Sequence, residues 1–337
     1  ANRFLSNEAI TAVRQRSAEH VVAEMVELAP LIAENRSFLR FYDATFVTQS
    51  RRNRAWIDDF CTALEQRKLR IPFDVFVRAN SFDLNKPGDQ ALITRLKSVG
   101  MISTYIGLES GSDDTLALYN KHVNASDSEK MFEYFRSQHI QGSTNGCMTF
   151  QQDSTLADIA QTVRFLRRLG LCSLWNCLSR AETLPGIKLE MRTHKRETCW
   201  DVYNYQFTDP RVARLYAVLY SIHANHSSIK LEDGLVRALR DRLRIESFYA
   251  PHAMDWLGLE HALEARIGAM QAVTSEFVLG LIDQLPDWDE TMLEHAIHQY
   301  LGALDQALDA LHASYGWLLT LPISAVTTRP HHANCVH

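Results

Sequence analysis

The segment MISTYIGLESGSDDTLALYNKHV, residues 101–123, sets a carboxylate where an apolar run leaves its core: Glu109, followed by Ser110-Gly111-Ser112. An ionised carboxylate half-buried at such a place is costly unless something pairs with it. Arg78, at the end of FDVFVR, is the candidate partner in a structural ion pair. Glu109 could also work as a general acid or base in a barrel hydrolase or lyase. That chemistry needs a second carboxylate or a metal set, and the sequence displays neither convincingly. Ser110 and Gly111 allow the backbone to approach a ligand closely, or simply turn a strand into a helix. Other apolar runs end in the same manner: on Asp43 and Thr45, on Arg78 and Asn80, on Asn145 and Thr149, and on Ser179 and Arg180.

Metal-ligating types are present without a convincing constellation. Cysteines stand at 61, 147, 172, 177, 199 and 335, with no CxxC pair. Cys172 and Cys177 read as lying on a strand, on opposite faces, unable to chelate one ion together. The terminal HHANCVH offers His331, His332, Cys335 and His337, ligand types suited to zinc or nickel, but it reads better as a flexible tail. The remaining histidines read as surface or satisfied groups. The spacing is not that of a disulfide scaffold, so the thiols are expected to be reduced in a cytoplasmic protein.

The elements that must position these residues follow from pattern. The 337 residues are 46% hydrophobic and 22% charged, enough for one large domain or two ordinary ones. A net charge of −5 gives no bulk electrostatic case for nucleic acid or an anionic membrane. No apolar run reaches the ~18 residues of a membrane span, and the first residues lack a signal-peptide core. Up to about residue 190, strand-like and helix-like patterns alternate, with strands beginning near 38, 72, 101, 141 and 171. Helices are expected over 17–29 with Ser17 as cap, 55–67, 89–100 ended by Gly100, 126–140 with a Ser126–Glu129 capping box, and 154–170. Such alternation implies a parallel α/β sheet with crossover helices, either doubly wound or an incomplete barrel. The polar residues collect at the strands' C-terminal ends, where parallel α/β proteins place ligands. From about residue 200 the patterns are helical over 209–225, 231–244, 259–285 and 288–319. The division expected is 1–190, 200–321 as an all-α C-terminal domain capping the open mouth and selecting substrate, and 322–337 as tail. Trp200, Tyr203, Tyr205 and Trp256 are candidates to line that mouth.

Taken in order, RSAEHVVAEM, FLRFYDATF, FDVFVRAN, ALITRLKSVGMISTYIGLESGSDDTLALYNKHV and DSTLADIAQTVRFLRRLG resemble the radical S-adenosylmethionine (SAM) superfamily over residues 12–190. The nearest resemblance is to members with a cobalamin-binding domain ahead of the radical domain. It implies a partial (β/α)6 TIM-like barrel whose first strand is missing from this chain. It also implies a [4Fe–4S] cluster held by CxxxCxxC, SAM on its open iron, reductive cleavage to a 5′-deoxyadenosyl radical, and hydrogen abstraction. Cobalamin is the further cofactor and methylation the usual outcome in such members. The partners implied are a small-molecule or peptide substrate and an electron donor such as a flavodoxin or ferredoxin. The site residues implied are Asp43 toward the SAM amino group, and Glu109 toward that group or the ribose hydroxyls. Arg78 is implied at Glu109 or the SAM carboxylate, with Ser110 and Gly111 at the same turn. Asn145, Leu178 and Ser179 are implied near the adenine. Pro185-Gly186 resembles the family's Pro-Gly-Thr turn. The chain departs from the family in having neither CxxxCxxC nor the cobalamin-binding Asp-x-His-x-x-Gly. It is expected to be a fragment whose cluster ligands lie outside it. A clusterless scaffold or partner-binding relative is the alternative.

Overall fold

A computed structural model describes residues 15–43, 45–144, 147–182, 205–284 and 288–321. Ser17 opens the first helix, α1 (Ala18–Glu34), by accepting the His20 amide. Strand β1 (Leu39–Arg40) follows, then α2 (Arg51–Gln66), capped by Ser50, and β2 (Phe73–Arg78). Next come α3 (Pro87–Ser98), β3 (Met101–Gly107), α4 (Asp113–Leu118), α5 (Ala125–Ser137) and β4 (Gln141–Ser143). The α/β part ends with α6 (Leu156–Arg168) and the short α7 (Leu174–Cys177). Gly100, with φ of 125°, makes the turn from α3 into β3. No side chain fits there, because a Cβ would stand 2.1 Å from the Ile71 carbonyl oxygen.

The sheet is parallel, in the order β1-β2-β3-β4. Its two faces separate by residue parity. Phe73, Val75, Val77 and Ile106 are buried in the core with Ile57, Phe60 and Leu64 of α2, and Ile93 and Leu96 of α3. The Phe60 ring meets those of Phe73, Phe46 and Trp56 at 5.5–5.8 Å between centroids. The other parity puts Arg40, Asp74, Phe76, Arg78, Ser103, Tyr105, Gly107, Gln141 and Ser143 on the concave face. Register sets Arg40 beside Asp74, Asp74 beside Ser103, Phe76 beside Tyr105, and Arg78 beside Gly107.

Four helices follow: α8 (Pro210–Asn225), α9 (Ser227–Tyr249), α10 (Trp256–Gln284) and α11 (Glu290–Tyr315), the last running into a 3-10 turn at Gly316–Thr320. Their apolar faces share one core with the sheet and its helices. Among the described residues no helix is long and apolar enough to cross a membrane.

Three expectations fail for local reasons. The strand expected from residue 171 is replaced by α7. Ser173 Oγ accepts the Asn176 amide at 3.3 Å and Asn176 Nδ2 donates to the Leu171 carbonyl at 2.8 Å. These local bonds satisfy backbone groups that a ladder would need. Only a bridge between Phe150 and Arg180 remains. The helical turn also brings Cys172 and Cys177 together, Sγ to Sγ 3.6 Å, rather than setting them on opposite faces. Finally, Asn124 caps α5 by accepting the Asp127 amide at 2.7 Å, so Ser126 lies inside the helix and Glu129 turns to Arg168. The reciprocal box sits instead at Thr155 and Asp158 of α6.

Candidate functional site at the C-terminal rim of the sheet

At the end of β3 the chain turns tightly. The Leu108 amide donates to the Ile106 carbonyl and the Ser110 amide to the Leu108 carbonyl, at 2.9 and 2.8 Å. Glu109 adopts φ of 67°, a conformation that non-glycine residues seldom hold without surrounding support. Support comes from the Met148 amide, which donates to the Glu109 carbonyl at 2.5 Å. The side chain folds back over the strand end. Its Oε2 takes the Lys121 ammonium at 2.9 Å. Its Oε1 lies 3.3 Å from the point a Cβ on Gly107 would occupy. Both partners are about a third exposed, 31% for Lys121 and 29% for Glu109, so the carboxylate is within reach of a ligand.

Lys121 answers the question of what pairs with Glu109. The partner expected from sequence, Arg78, is exposed and forms no ion pair among the described residues. Its amide donates to Ser81 Oγ at 3.0 Å. Lys121 stands between two residues of left-handed backbone, Asn120 and His122, with φ of 52° and 54°. Nothing in the sequence spacing singles it out, because it acts across a turn 12 residues long.

Ser110 and Gly111 do make a close approach, but to α6. Ser110 is buried with Oγ 3.3 Å from Thr162 Oγ1. A Cβ on Gly111 would stand 2.5 Å from Phe165 Cβ and 2.8 Å from Thr162 Cα. Ser112 then caps α4 and donates to Asp158 Oδ1 at 2.6 Å. Burial alone would raise the Asp158 carboxyl, yet the bonds from Ser112 and Thr155 hold it below the usual carboxylate range. Leu178 is buried at the end of α7. The Ser179 carbonyl accepts the amides of Thr149 and Phe150 at 3.1 and 3.0 Å. Tyr205 is buried and donates its hydroxyl to the Ala181 carbonyl, and Trp256 donates to the Ala250 carbonyl. Asn145, Pro185, Gly186, Trp200, Tyr203 and the tail lie outside the described residues.

Asp43 is exposed and lines a hollow of about 1010 Å³ with Arg16, Glu24, Phe41, Tyr42 and Arg52. Arg78 and Glu109 do not line it. The rim therefore joins Glu109, Lys121, Gly107 and the end of β2, while Asp43 opens on a neighbouring space beside the outer edge of β1.

The opposite end of the concave face is closed by α9. Arg240 donates to the Gly170 carbonyl at 3.0 Å and Arg244 to the His139 carbonyl at 2.8 Å. The Tyr249 hydroxyl donates to the Ile32 and Ser37 carbonyls at 3.2 Å each. Arg36 and Arg242 both pair with the buried Glu246. Each of these barrel groups lies just ahead of a strand or of the segment from residue 171. The helical part thus seals the strand entrances through α9, rather than the mouth it was expected to cap. Between α9 and the strands a cavity of about 100 Å³ is lined by Arg40, Asp74, Tyr105, Gln141, Arg237 and Asp241, among others. Arg40 forks onto Asp74 at 2.7–3.1 Å and lies over the Tyr105 ring at 4.6 Å. Burial pushes the Asp241 carboxyl up to about 6 despite the field of Arg40, with Asp74 adding to the rise.

The thiols do not suit an iron–sulfur cluster. Cys61, Cys147, Cys172 and Cys177 are all buried and free. Burial pushes Cys61 and Cys147 up to about 12, the charge of Glu109 adding to the latter. The Cys172 hydrogen bond, then burial, raises Cys177. Cluster ligands must be thiolates. Among the described residues no group of three His, Cys, Asp or Glu side chains could hold a metal ion.

Comparison with solved structures finds the same fold in OxsB, a cobalamin-dependent S-adenosylmethionine radical enzyme. With aqua-cobalamin and S-adenosylmethionine bound, OxsB superposes with a TM-score of 0.53 at 16% identity, over 90% of this chain and 55% of that one. Apo, selenomethionine-labelled OxsB gives 0.54 at 15%, over 94% and 56%. The form with aqua-cobalamin alone gives 0.52 at 15%, over 90% and 55%. The chain spans about half the length of these structures. No protein-family model and no curated protein matches the sequence. The chain shares the fold of the matching part of OxsB.

Proposed function

We propose that this chain is the partial (β/α)6 barrel and helical C-terminal part of a radical SAM enzyme, with SAM held at the rim of β1–β3. The observation that carries the reading is the superposition over nine-tenths of the chain onto an enzyme solved with that cofactor. The rim residues suit the ligand. A Glu109 carboxylate oxygen faces the bare backbone at Gly107 and can accept from hydroxyl or ammonium donors. Arg78, the last residue of β2, offers a guanidinium to a carboxylate, and Asp43, three residues beyond β1, a carboxylate to an ammonium from the neighbouring hollow. Ser110, Gly111, Leu178 and Ser179 shape the rim by anchoring its turns to α6 and to the segment at Thr149. Together with a reduced cluster, SAM supplies C–S cleavage and hydrogen-atom abstraction from substrate. The cluster ligands, and a cobalamin site if methylation is the outcome, belong to sequence outside this chain. The substrate is a small molecule or peptide, the electron donor a flavodoxin or ferredoxin, and the setting the cytoplasm.

The experiment is anaerobic purification of the protein at its natural length, assay of iron and sulfide, and reduction with dithionite in the presence of SAM. About four irons per chain and release of 5′-deoxyadenosine are expected. A metal-free protein that leaves SAM intact would establish the second reading, a clusterless member of the fold.

A further inference from the structure

We infer that Lys121 and Gly107 are positioning residues that aim the Glu109 carboxylate into the rim. The inference rests on the reading of that rim as a SAM site, and it gives a role to two residues to which the resemblance assigned none. The two carboxylate oxygens have different surroundings. Oε2 is bound by the Lys121 ammonium at 2.9 Å. Oε1 occupies the edge of the space left by the missing side chain at Gly107, 3.3 Å from where a Cβ would stand. The Val77 carbonyl oxygen lies 3.7 Å from that same point, so the space is bounded on the β2 side by backbone. One oxygen is thus tethered while the other is left over an opening at the strand ends.

The tether is itself held firmly. The Lys121 amide donates to the Leu116 carbonyl at 3.1 Å, and the Asn120 amide to the Ala117 carbonyl at 3.0 Å. Beyond it, Asp113 accepts the Ala125 amide at 2.8 Å, fastening the start of α4 to the start of α5. The left-handed backbone at Glu109, Asn120 and His122 is what lets a residue 12 positions downstream reach back to the strand end. Such backbone persists only where the surroundings over-determine it, and it concentrates at ligand sites. Stability does not account for the pair, because ion pairs this exposed contribute little to it. What the pair does achieve is a carboxylate in one orientation, with its charge already matched, before a ligand arrives. Preorganisation of that sort strengthens binding by removing an ordering cost.

The test is anaerobic calorimetric titration of the protein at its natural length, with its cluster in place, against SAM, with thermal unfolding of each variant alongside. Lys121→Met is expected to bind about tenfold more weakly, the size of a lost charge-assisted contact. Lys121→Arg should recover most of the affinity, since the cation is restored. Gly107→Ala should also weaken binding while Lys121 is intact, because its methyl displaces Oε1. In the double variant Lys121→Met/Glu109→Gln the loss should be that of Glu109→Gln alone, since Lys121 acts only through Glu109. Unfolding midpoints should stay within about 4 °C of the unaltered chain. Unchanged affinity in Lys121→Met, or losses that multiply in the double variant, would overturn the positioning role and leave the SAM site standing. Failure of the unaltered, cluster-loaded protein to bind SAM would overturn both.

Discussion

The two ends of the concave face are built from the same residue types and put to opposite uses. Where the strands begin, Arg40, Asp74, Glu246 and three arginines of α9, Arg240, Arg242 and Arg244, are largely drawn out of solvent and paired with opposite charge. Where the strands end, Arg78, Asp43 and the Glu109–Lys121 pair stay within reach of solvent, and only one of the three positions has a protein partner of opposite charge among the described residues. The difference teaches which end is structural. Buried charge that is fully paired locks elements together and is costly to break. Charge left half-exposed on a rigid rim adds little to stability and remains available to a ligand.

The comparison is broken most severely by Glu246→Ala, which strands the buried Arg36 and removes the ion-pair partner of the largely buried Arg242 at the closed end. It is expected to lower unfolding free energy by about 3–5 kcal/mol in urea titrations. A loss as small as a surface pair's would mean that α9 is not the seal described above.

Glu232 gives a second, pH-dependent probe of α9. The side chain is buried, neither carboxylate oxygen has a well-formed hydrogen bond, and burial pushes its carboxyl up to about 8 against the weaker, lowering effect of the nearby Leu174 amide. Because the folded value lies above the unfolded one, the folded state holds the extra proton between pH ~4.5 and ~8. Its stabilising effect is therefore complete below pH ~4.5 and is lost as pH rises through ~8. Glu232→Gln should flatten that fall and be the more stable protein at pH 8, by about 2–3 kcal/mol. An identical pH profile in the two proteins would show that Glu232 is ionised when folded. Asp241, up to about 6, adds a fall of the same sign at lower pH.

Gly111→Ala sharpens the boundary between structure and site within the rim itself. Its methyl would collide with Phe165 and the backbone of Thr162, so a loss of about 1–3 kcal/mol is expected. Little change in stability with weakened ligand binding would instead place Gly111 against a ligand. The smallest stability effect belongs to Lys121→Met, under about 1 kcal/mol, despite its effect on SAM affinity.

Much of the scaffold was legible because its signals are local. Ser17 as the cap of the first helix and Gly100 as the end of the third each act within a few residues, and each appears where expected. Strand lengths were not legible. Residues 38–46 shrink to Leu39–Arg40 because Tyr42 and Asp43 leave the ladder, which resumes only at Val47. The cap of α5 moved to Asn124 because two acceptable caps lie two residues apart and packing chooses between them. The site was legible as a location and not as a set of contacts. Glu109 could be found as a carboxylate at the end of an apolar run, whereas its partner could not, since Arg78 and Lys121 are equally plausible cations on paper.

The order of residues alone dictated alternating strands and helices, polar strand ends and a long helical remainder, because hydrophobic periodicity and backbone capping act over a few positions. Only the folded chain decided that α9 plugs the strand entrances, that Gly111 serves α6, and that Lys121 rather than Arg78 holds Glu109. Those choices depend on distances between residues far apart in sequence, which are set by how the elements pack against one another.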